Sequence, residues 1–508
     1  MSESDRYMQE REKKRDALRA AGVDPYGGRF PDVEAAADLR ARADVCDIPA
    51  GEKLPDFTAR IAGRITLLRD IGKLAFLTVQ DRTGAMQFGL SRADLGDAQW
   101  AVFKQLDLGD IIGGDGIIGR TKTGELTLWL KTLTVLAKAL RPPPEKWHGL
   151  TDVELRYRHR YVDLFSNPEV REVFRQRSAI IHAIREHLVD LGYLEVDTPV
   201  LQPIYGGAAA RPFTTHHNTL DMDLYLRISP ELYLKRLLVG GMERVFEISR
   251  NFRNEGISPR HNPEFSMIEL YEAYADYNVM MERTEGMVAA GIEALGGGFI
   301  RPYGELELNF APPWRRAKYA DLLGEHTGLD VKDTSGVLER AKQEGIYQKL
   351  TKMIGDGHVH VRPDHAAPGS LIDHDVLVNE LFDMLVQPHL IQPTFVYDYP
   401  ASICPLTRRH PEDPSIALRF EAFVAGMELG NAYTELNDPR VQEENFRRQV
   451  AGEGDETMAV MDEDFVMALE YGMPPAGGLG VGLDRLVMLL TNSRSIRDVI
   501  LFPLQRKG

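Results

Sequence analysis

The pattern of hydrophobic and polar positions divides the chain into two regions. Between Asp56 and Leu140 short alternating runs are separated by turn signals, and this pattern predicts five strands. They are Thr58–Leu67, Leu74–Gln80, Ala85–Leu90, Asp110–Arg120 and Glu125–Leu136. Five strands in so short a segment predict a small OB-fold barrel. Beyond this segment the elements are longer, and Pro168–Leu191 predicts an amphipathic helix in an α+β domain.

Turn-rich segments set the predicted domain boundaries. Residues 3–20 predict a charged helix, which is either solvated or a nucleic-acid-binding arm that carries Arg11, Lys14 and Arg15. Three prolines after Arg141 predict a stiff linker. The predicted divisions are a helical extension (1–55), a barrel (56–141), a linker (142–150) and an α+β domain (151–508).

Composition changes this picture mainly through the distribution of charge. The net charge of −16 over 508 residues argues against general coating of nucleic acid or acidic membranes. Residues 1–146 hold 23 basic and 22 acidic side chains, whereas residues 147–508 hold 37 and 54. The segment 57–141 holds 12 basic and 8 acidic side chains, so a mildly basic module precedes an acidic one.

Apolar runs and cysteines indicate the compartment. No apolar run approaches the length that spans a bilayer, and the charged N-terminus is unlike a signal peptide. Cys46 and Cys404 form no CxxC pair, which excludes a cysteine zinc site and a disulfide framework. These features predict a cytoplasmic protein.

The barrel could bind an oligonucleotide by stacking bases on aromatic side chains in a basic groove. Phe76 and Phe88 are the candidate platforms, and the alternative is that both belong to the core.

Residues Arg244–Tyr274 predict a long antiparallel hairpin with one dry and one wet face. Phe246 and Ile248 of the first strand and Ile268 and Leu270 of the second share the dry face. The wet face and the loop combine charge with aromatic rings, which suits a nucleotide, although a salt-bridged sheet surface is the alternative. These residues are Arg253, Glu255, Arg260, His261, Phe265, Glu269 and Tyr271.

Alternating glycines in Gly477–Arg485 (GGLGVGLDR) precede a predicted helix. Glycine allows a ligand close to the backbone, and Arg485 adds a cation near a helix start, where phosphates bind. The spacing fits neither GxGxxG nor a Walker loop, so a tight strand–helix joint is the alternative.

Two carboxylates, Glu421 and Glu428, interrupt apolar strands around a predicted turn. Such residues need basic partners or a metal, and an all-oxygen set favours Mg²⁺ shared with phosphates. Asn431, Tyr433 and Glu435 then alternate onto one face.

Two further segments carry candidate groups. Ser229-Pro230-Glu231 predicts a helix start, where capping is sufficient to explain Ser229 and Glu231 could also face an amine. The histidines in GHVHVRPDH are interpreted as a solvent-exposed loop in preference to a metal site; they are His358, His360 and His365.

Three of these segments resemble the signature motifs of the class II aminoacyl-tRNA synthetases. Gly192–Pro199 is similar to motif 1, Phe252–Phe265 to motif 2 and Gly478–Arg485 to motif 3. SPELYLKR (Ser229–Arg236) and FRNEG (Phe252–Gly256) are most similar to the bacterial lysyl-tRNA synthetases. The resemblance implies an α+β protein: an OB-fold anticodon-binding domain, then a class II catalytic domain. That domain would have a mainly antiparallel sheet flanked by helices and an insertion at about 276–390.

The same resemblance implies roles for the candidate residues. Arg253 and Arg485 would be catalytic, the first bridging the lysine carboxylate and the ATP α-phosphate. Lysine would be held by Gly207, Glu231, Glu269, Tyr271, Asn431, Tyr433 and Glu435. ATP would be held by Arg253, Glu255, Arg260, His261, Phe265, Glu428, Gly480 and Arg485. Mg²⁺ would be held by Glu421 and Glu428, and the anticodon by Phe76, Gln87 and Glu125.

The implied reaction is ATP-dependent ligation of L-lysine to tRNA(Lys) through lysyl-adenylate, with release of AMP and diphosphate by a homodimer. The alternatives are an aspartate or asparagine enzyme, a relative that activates lysine without charging tRNA, and a non-catalytic RNA-binding module. The presence of both Arg253 and Arg485 argues against the last. Tyr433 stands where Phe is common in the family, and Gly355–Ser370 matches no family segment.

Overall fold

A computed structural model of the chain describes residues 3–144, 150–208, 210–355, 370, 372–450 and 461–506. The chain divides into two compact units, Met1–Thr151 and Asp152–Gly508. The candidate histidines His358, His360 and His365 lie outside the described residues.

The first unit is a ring of five strands with three helices. The strands follow the order β1-β2-β3-β5-β4, and β1 also pairs with β4. Only β3 and β5 run parallel. Its elements are α1 (Glu3–Ala20), α2 (Ala36–Asp44), β1 (Lys53–Ile71), β2 (Leu74–Gln80), β3 (Ala85–Ser91), α3 (Arg92–Phe103), β4 (Ile111–Arg120) and β5 (Leu126–Ala137).

Local chemistry explains much of this unit. The Asp81 carboxylate accepts hydrogen bonds from the backbone N–H groups of Thr83 and Gly84, which fixes the turn between β2 and β3. Arg11 of α1 donates to the carbonyls of Leu108 and Ala139, so this arginine serves packing within the unit. The sequence pattern did not predict helix α3, which contains a glycine. In the structure this residue, Gly96, has φ +77° and interrupts the helical geometry.

The interior of the ring settles one of the two candidate aromatics. Phe88 is fully buried in a cluster with Ile61, Val79 and Leu128, so it belongs to the core and cannot be a stacking platform. Phe76 is half-buried and stays a candidate.

The second unit is built on an eight-stranded, mainly antiparallel sheet in the order β14-β15-β16-β17-β18-β11-β10-β6. Parallel pairs occur at its two edges, β14 with β15 and β10 with β6. The sheet strands are β6 (Leu194–Glu195), β10 (Arg244–Phe252), β11 (Glu264–Ala273), β14 (Arg315–Lys318), β15 (Thr394–Pro400), β16 (Ile416–Val424), β17 (Met427–Thr434) and β18 (Ala476–Gly482). Smaller sheets hold β7 (Leu201–Gln202), β8 (Thr214–His217), β9 (Met222–Leu226), β12 (Ile300–Tyr303) and β13 (Leu306–Asn309).

Helices cover this sheet and its extensions. They are α4 (Val153–Arg158), α5 (Arg160–Ser166), α6 (Pro168–Asp190), α7 (Glu231–Val239), α8 (Tyr277–Leu295), α9 (Tyr319–Thr327), α10 (Thr334–Gln343), α11 (Ile346–Gly355), α12 (His374–Leu385), α13 (Pro439–Val450), α14 (Glu463–Glu470), α15 (Leu483–Leu490) and α16 (Ile496–Val499). Within the described residues, no helix is long and apolar enough to cross a membrane.

The core of the second unit lies on the dry face predicted for the β10–β11 hairpin. Phe246 pairs with Leu270, and both belong to a buried cluster that includes residues of α6, α8 and α15. Ile184 of α6 and Val288 of α8 are examples, with at most 1% of each side chain exposed. Because strand side chains alternate, burying this face turns the polar hairpin residues to the other face of the sheet.

Candidate active site

Two glycines of β18 form the floor of a trough across the middle of the sheet. β18 lies between β11 and β17, so each glycine has a polar side chain on either side. The two cross-strand rows are Glu269–Gly480–Asn431 and Tyr271–Gly478–Tyr433. Since neighbours in a row project from one face, the absent side chains leave room between flanking polar groups.

A cavity of about 410 Å³ lies over this trough. It brings together most of the residues that the sequence singled out, including residues of the motif 2 and motif 3 segments but none of the motif 1 segment. The predicted residues that line it are Gly207, Glu231, Arg253, Glu255, Arg260, His261, Phe265, Glu269, Tyr271, Glu421, Glu428, Asn431, Tyr433, Gly480 and Arg485. Glu435 is the predicted lysine-binding residue that does not line it.

Carboxylates dominate one end of the cavity. Glu269 is buried and accepts hydrogen bonds from the Ser229 hydroxyl at 2.9 Å and from the Tyr271 hydroxyl at 3.3 Å. Burial, and then the nearby Glu231 charge, raise the pKa of Glu269 to about 8. Ser229 therefore does more than cap a helix, and α7 begins two residues after it, at Glu231.

Glu435 lies just behind this end of the cavity and forms an ion pair with Lys235. Both side chains are buried, and the Lys235 ammonium also lies 2.6 Å from Glu231 Oε1. A side chain on Gly478 would place its Cβ 2.0 Å from Glu435 Oε1, so this oxygen occupies the space that the absent side chain leaves at the cavity floor. Burial raises the pKa of Glu435, and the Lys235 charge opposes that shift.

Arg253 is one of the cations that line the cavity. It immediately follows β10, and its guanidinium lies 5.2 Å from the centre of the Phe265 ring. Within the described part of the chain Arg253 forms no ion pair, and its buried Nε has no hydrogen-bond partner. An unpaired guanidinium in a cavity is a site for an anion.

Arg485 is held differently, between a carboxylate and an imidazole. It donates to the Glu428 carbonyl at 2.6 Å and to His261 Nε2 at 3.0 Å. Because arginine can only donate, Nε2 accepts, and the ring proton lies on Nδ1, 2.8 Å from the Ser258 hydroxyl. Partial burial and the Arg485 charge lower the pKa of His261, which keeps this ring neutral.

Arg419 is a cavity residue that the sequence reasoning missed. Its guanidinium pairs with Glu421 and donates to Asn431 Oδ1 at 3.0 Å, and Tyr399 also donates to Glu421. It therefore connects the wall near Glu421 with the wall near Asn431. Its position two residues before Glu421, on the same face of β16, was the available signal.

Glu421 and Glu428 supply oxygen donors on neighbouring strands, as a Mg²⁺ site shared with phosphates requires. Burial raises the pKa of Glu421, as expected for a carboxylate close to a second one. In the described residues no group of three or more His, Cys, Asp or Glu side chains could hold a metal. Basic partners already compensate both carboxylates, since Glu421 pairs with Arg419 and Glu428 pairs with Arg485.

A buried aspartate joins the second and third motif segments. Asp484 at the start of α15 accepts the Ser266 backbone N–H at 2.7 Å and pairs with Arg177 at 2.6 Å. Arg177 also donates to the Ser266 hydroxyl. These contacts fix the backbone next to Arg485, and sequence reasoning did not identify them.

The three predicted anticodon residues lie in the first unit, on or next to strands β2, β3 and β5. Gln87 donates to Thr127 at 2.8 Å, and Glu125 is exposed. Phe76 makes an edge contact with Trp129, whose ring centre lies 5.9 Å away. Trp129 was missed, although its place on β5 beside β3 puts it next to Phe76 and Gln87.

Two family profiles match the two units separately. Residues 152–506 match tRNA synthetases class II (D, K and N), and residues 59–136 match the OB-fold nucleic acid binding domain. The chain thus belongs to the class II aminoacyl-tRNA synthetases, and the predicted fold class is confirmed.

Relatives over nearly the full length narrow the family further. The lysine–tRNA ligase of Pelotomaculum thermopropionicum is 51% identical, over 98% of this chain and 94% of the relative. That of Carboxydothermus hydrogenoformans is 50% identical over 97% and 96%, and that of Syntrophomonas wolfei 48% over 100% and 99%. Within the class, the chain belongs to the lysine–tRNA ligase family.

Proposed function

We propose that the cavity of the second unit forms lysyl-adenylate and that the chain then transfers the lysyl group to tRNA. As a member of its family, the chain catalyses ATP-dependent ligation of lysine to tRNA. The observation that supports the site most strongly is one cavity lined both by buried carboxylates and by Arg253, which has no ion pair among the described residues. Lysine carries two ammonium groups and one carboxylate, which is the complementary arrangement.

The lysine would lie along the glycine floor. Glu231 and the Gly207 backbone would hold its α-ammonium, and Arg253 its carboxylate. Glu269, Tyr271 and Glu435 would receive the side-chain ammonium, with Asn431 and Tyr433 as the neighbouring wall. Since buried carboxylates gain most from an opposite charge, the incoming ammonium stabilises their ionised forms.

ATP would occupy the remaining part of the cavity. Phe265 would stack on adenine opposite Arg485, with Gly480 allowing close approach. Glu255, Arg260 and His261 would contact the nucleotide, the last two near its outer phosphates. The lysine carboxylate attacks the α-phosphorus and diphosphate leaves. This carboxylate is already ionised, so no general base is needed, and Arg253 and Arg485 stabilise the developing charge.

Glu421 and Glu428 would hold Mg²⁺ against the phosphates of ATP. When bound there, the ion would neutralise phosphate charge and act as a Lewis acid. Arg419 keeps Glu421 oriented through their ion pair.

The first unit would bind the anticodon. Phe76 would stack on a base, and Gln87 and Glu125 would read base edges through hydrogen bonds. We assign this role to residues 56–141 and the ligation chemistry to residues 151–508. Phe76→Ala should then raise the KM for tRNA and leave the lysine-dependent exchange reaction unchanged.

We also propose a homodimer that works in the cytoplasm. Apolar side chains are exposed on and near the motif 1 segment, as expected for a surface that a second copy covers. They are Val189, Leu194, Val200, Leu201 and Leu220. Cys46 and Cys404 form no disulfide, which suits a reducing compartment. Sedimentation of wild type and Leu194→Asp would test the dimer, since the charge should shift the population to monomer.

A pyrophosphate-exchange panel over the amino acids tests the proposed site. Only lysine should support exchange, and activity with aspartate or asparagine would contradict the assignment. Glu435→Gln should raise the KM for lysine far more than the KM for ATP. Glu272→Gln is the matched control, because Glu272 is buried on β11 but pairs with Arg283 away from the cavity.

A further inference from the structure

Lys235 is a buried lysine that the reaction described above does not use. It lies one helical turn after Glu231 on α7, and its side chain has no solvent exposure. Its ammonium pairs with Glu231 at 2.6 Å and with Glu435, which comes from the far end of β17. It does not line the cavity.

Each of the two carboxylates directs a single oxygen to this ammonium. Glu231 Oε1 and Glu435 Oε2 are the partners of Lys235. Glu435 Oε1 has no hydrogen-bond donor among the described residues, and it lies against Gly478 in the cavity floor. The Oε1 atom of Glu435 is thus left for another donor.

Stability alone is a weak reason for this arrangement. Replacing a buried ion pair by apolar side chains of similar size is often neutral or stabilising. Here one lysine compensates only one of two buried carboxylates, and Glu269 adds a third nearby. Without the ammonium, protonation would be the easiest way to relieve these charges, and protonated carboxyls attract an ammonium weakly.

We propose that Lys235 is a positioning residue for lysine recognition, whose ammonium keeps Glu231 and Glu435 ionised and oriented toward the two amines of the substrate. This inference rests on the proposed lysine site. It places a fixed internal ammonium between the carboxylates for the α-amine and the side-chain amine. The two carboxylates also raise the pKa of Lys235, so its charge persists over the whole working pH range.

The test is Lys235→Met, which keeps the chain length and removes the charge. We expect the KM for lysine in pyrophosphate exchange to rise on the order of 100-fold, as when one partner of a buried charge pair is lost. The KM for ATP should stay within about twofold, because the nucleotide contacts do not involve this group. The matched control is Lys138→Met, a buried lysine of the first unit that pairs with Asp107 and Asp110.

A double-mutant cycle with Glu435→Gln separates positioning from a purely structural role. If Lys235 acts partly through Glu435, the double variant should raise the KM for lysine by less than the product of the two single effects, and the remaining Lys235 effect passes through Glu231. Should Lys235→Met fail to fold, Lys235→Gln should still raise the KM for lysine at least about tenfold.

Three outcomes would overturn the proposal. A lysine KM within about threefold of wild type, parallel rises in both KM values, or multiplied effects in the cycle would each exclude a positioning role. The wild-type protein distinguishes this failure from failure of the proposed site. If wild type showed no lysine-dependent exchange, the lysine site itself would be wrong, whatever the variants do.

Discussion

The two ends of the cavity treat charge in opposite ways. At the carboxylate end, Glu231 and Glu435 share the internal ammonium of Lys235, and all three side chains are buried. At the nucleotide end, Arg253 has no ion pair among the described residues, while Arg485 is held by neutral His261 and by Glu428. One end contains its own counter-charge, and the other leaves a cation for the ligand to neutralise.

This difference follows from what each ligand is proposed to bring. ATP carries a large negative charge, so Arg253 needs no carboxylate partner within the protein. Lysine brings two ammonium groups into a space with three buried carboxylates. Lys235 supplies a counter-charge to Glu231 and Glu435 before the ligand arrives, whereas the pKa of Glu269 is raised. The comparison therefore predicts that substitutions at the cation end lower kcat, whereas substitutions at the carboxylate end mainly raise the KM for lysine.

The largest effect is expected at the cation end. Arg253→Ala should lower kcat for pyrophosphate exchange by about 10²–10³-fold, as when a preorganised donor to the transition state is removed. Initial rates of pyrophosphate exchange at saturating lysine and ATP measure this kcat. Arg250→Ala is the matched control, since this arginine lies on β10 three residues before Arg253 and pairs at the surface with Glu264. A loss below about tenfold would mean that Arg253 does not contact the reacting groups.

The next effect tests the glycine floor at the carboxylate end. Gly478→Ala would place a methyl group 2.0 Å from Glu435 Oε1 and 2.5 Å from the Tyr271 ring. Displacing Glu435 would weaken its proposed contact with the side-chain ammonium of lysine. The KM for lysine should then rise by about 10–100-fold, with a smaller effect on kcat. Gly256→Ala is the control, because a Cβ added to this cavity glycine would meet no atom within 4 Å. If Gly478→Ala and Gly256→Ala changed the KM for lysine equally, the glycine floor would have no specific role in lysine binding.

The sequence predicted the elements that periodicity and turns specify. Strand β2 runs from Leu74 to Gln80 as expected, and the β10–β11 hairpin runs from Arg244 to Ala273, within one residue of its predicted range. The polar face of that hairpin lines the cavity because alternation fixes which side chains share a face. The local sequence pattern was sufficient to predict these strand ends and faces, since residues close in sequence determine both.

The groups that the sequence did not reveal act through contacts between distant segments. Lys235 meets Glu435 across 200 positions, and Asp484 meets Ser266 across 218. Phe76 and Phe88 could not be separated by residue type, and only closure of the ring buries one of them. Lys235 did offer a local signal, because residues four apart on a helix face each other, as Glu231 and Lys235 do.

The smallest effect is a pH dependence confined to the carboxylate end. Glu269 faces Ser229, Glu231, Arg253 and Tyr271, and its pKa in the empty site is raised to about 8. An ammonium bound beside it favours the ionised form, so lysine binding releases a proton and tightens as pH rises toward 8. Between about pH 7 and about pH 8 the ionised fraction rises about fivefold, and the KM for lysine should fall by a similar factor.

The control is the Glu269→Gln variant at the same pH values, because the raised pKa of Glu421 at the nucleotide end makes the KM for ATP unsuitable. Glu269→Gln should abolish the slope and leave a high KM for lysine at every pH, since the amide cannot ionise. A KM for lysine that is flat or rises over this window in the wild-type protein would show that Glu269 is already ionised before lysine binds. The internal ammonium of Lys235 would then be sufficient to hold the whole carboxylate end charged.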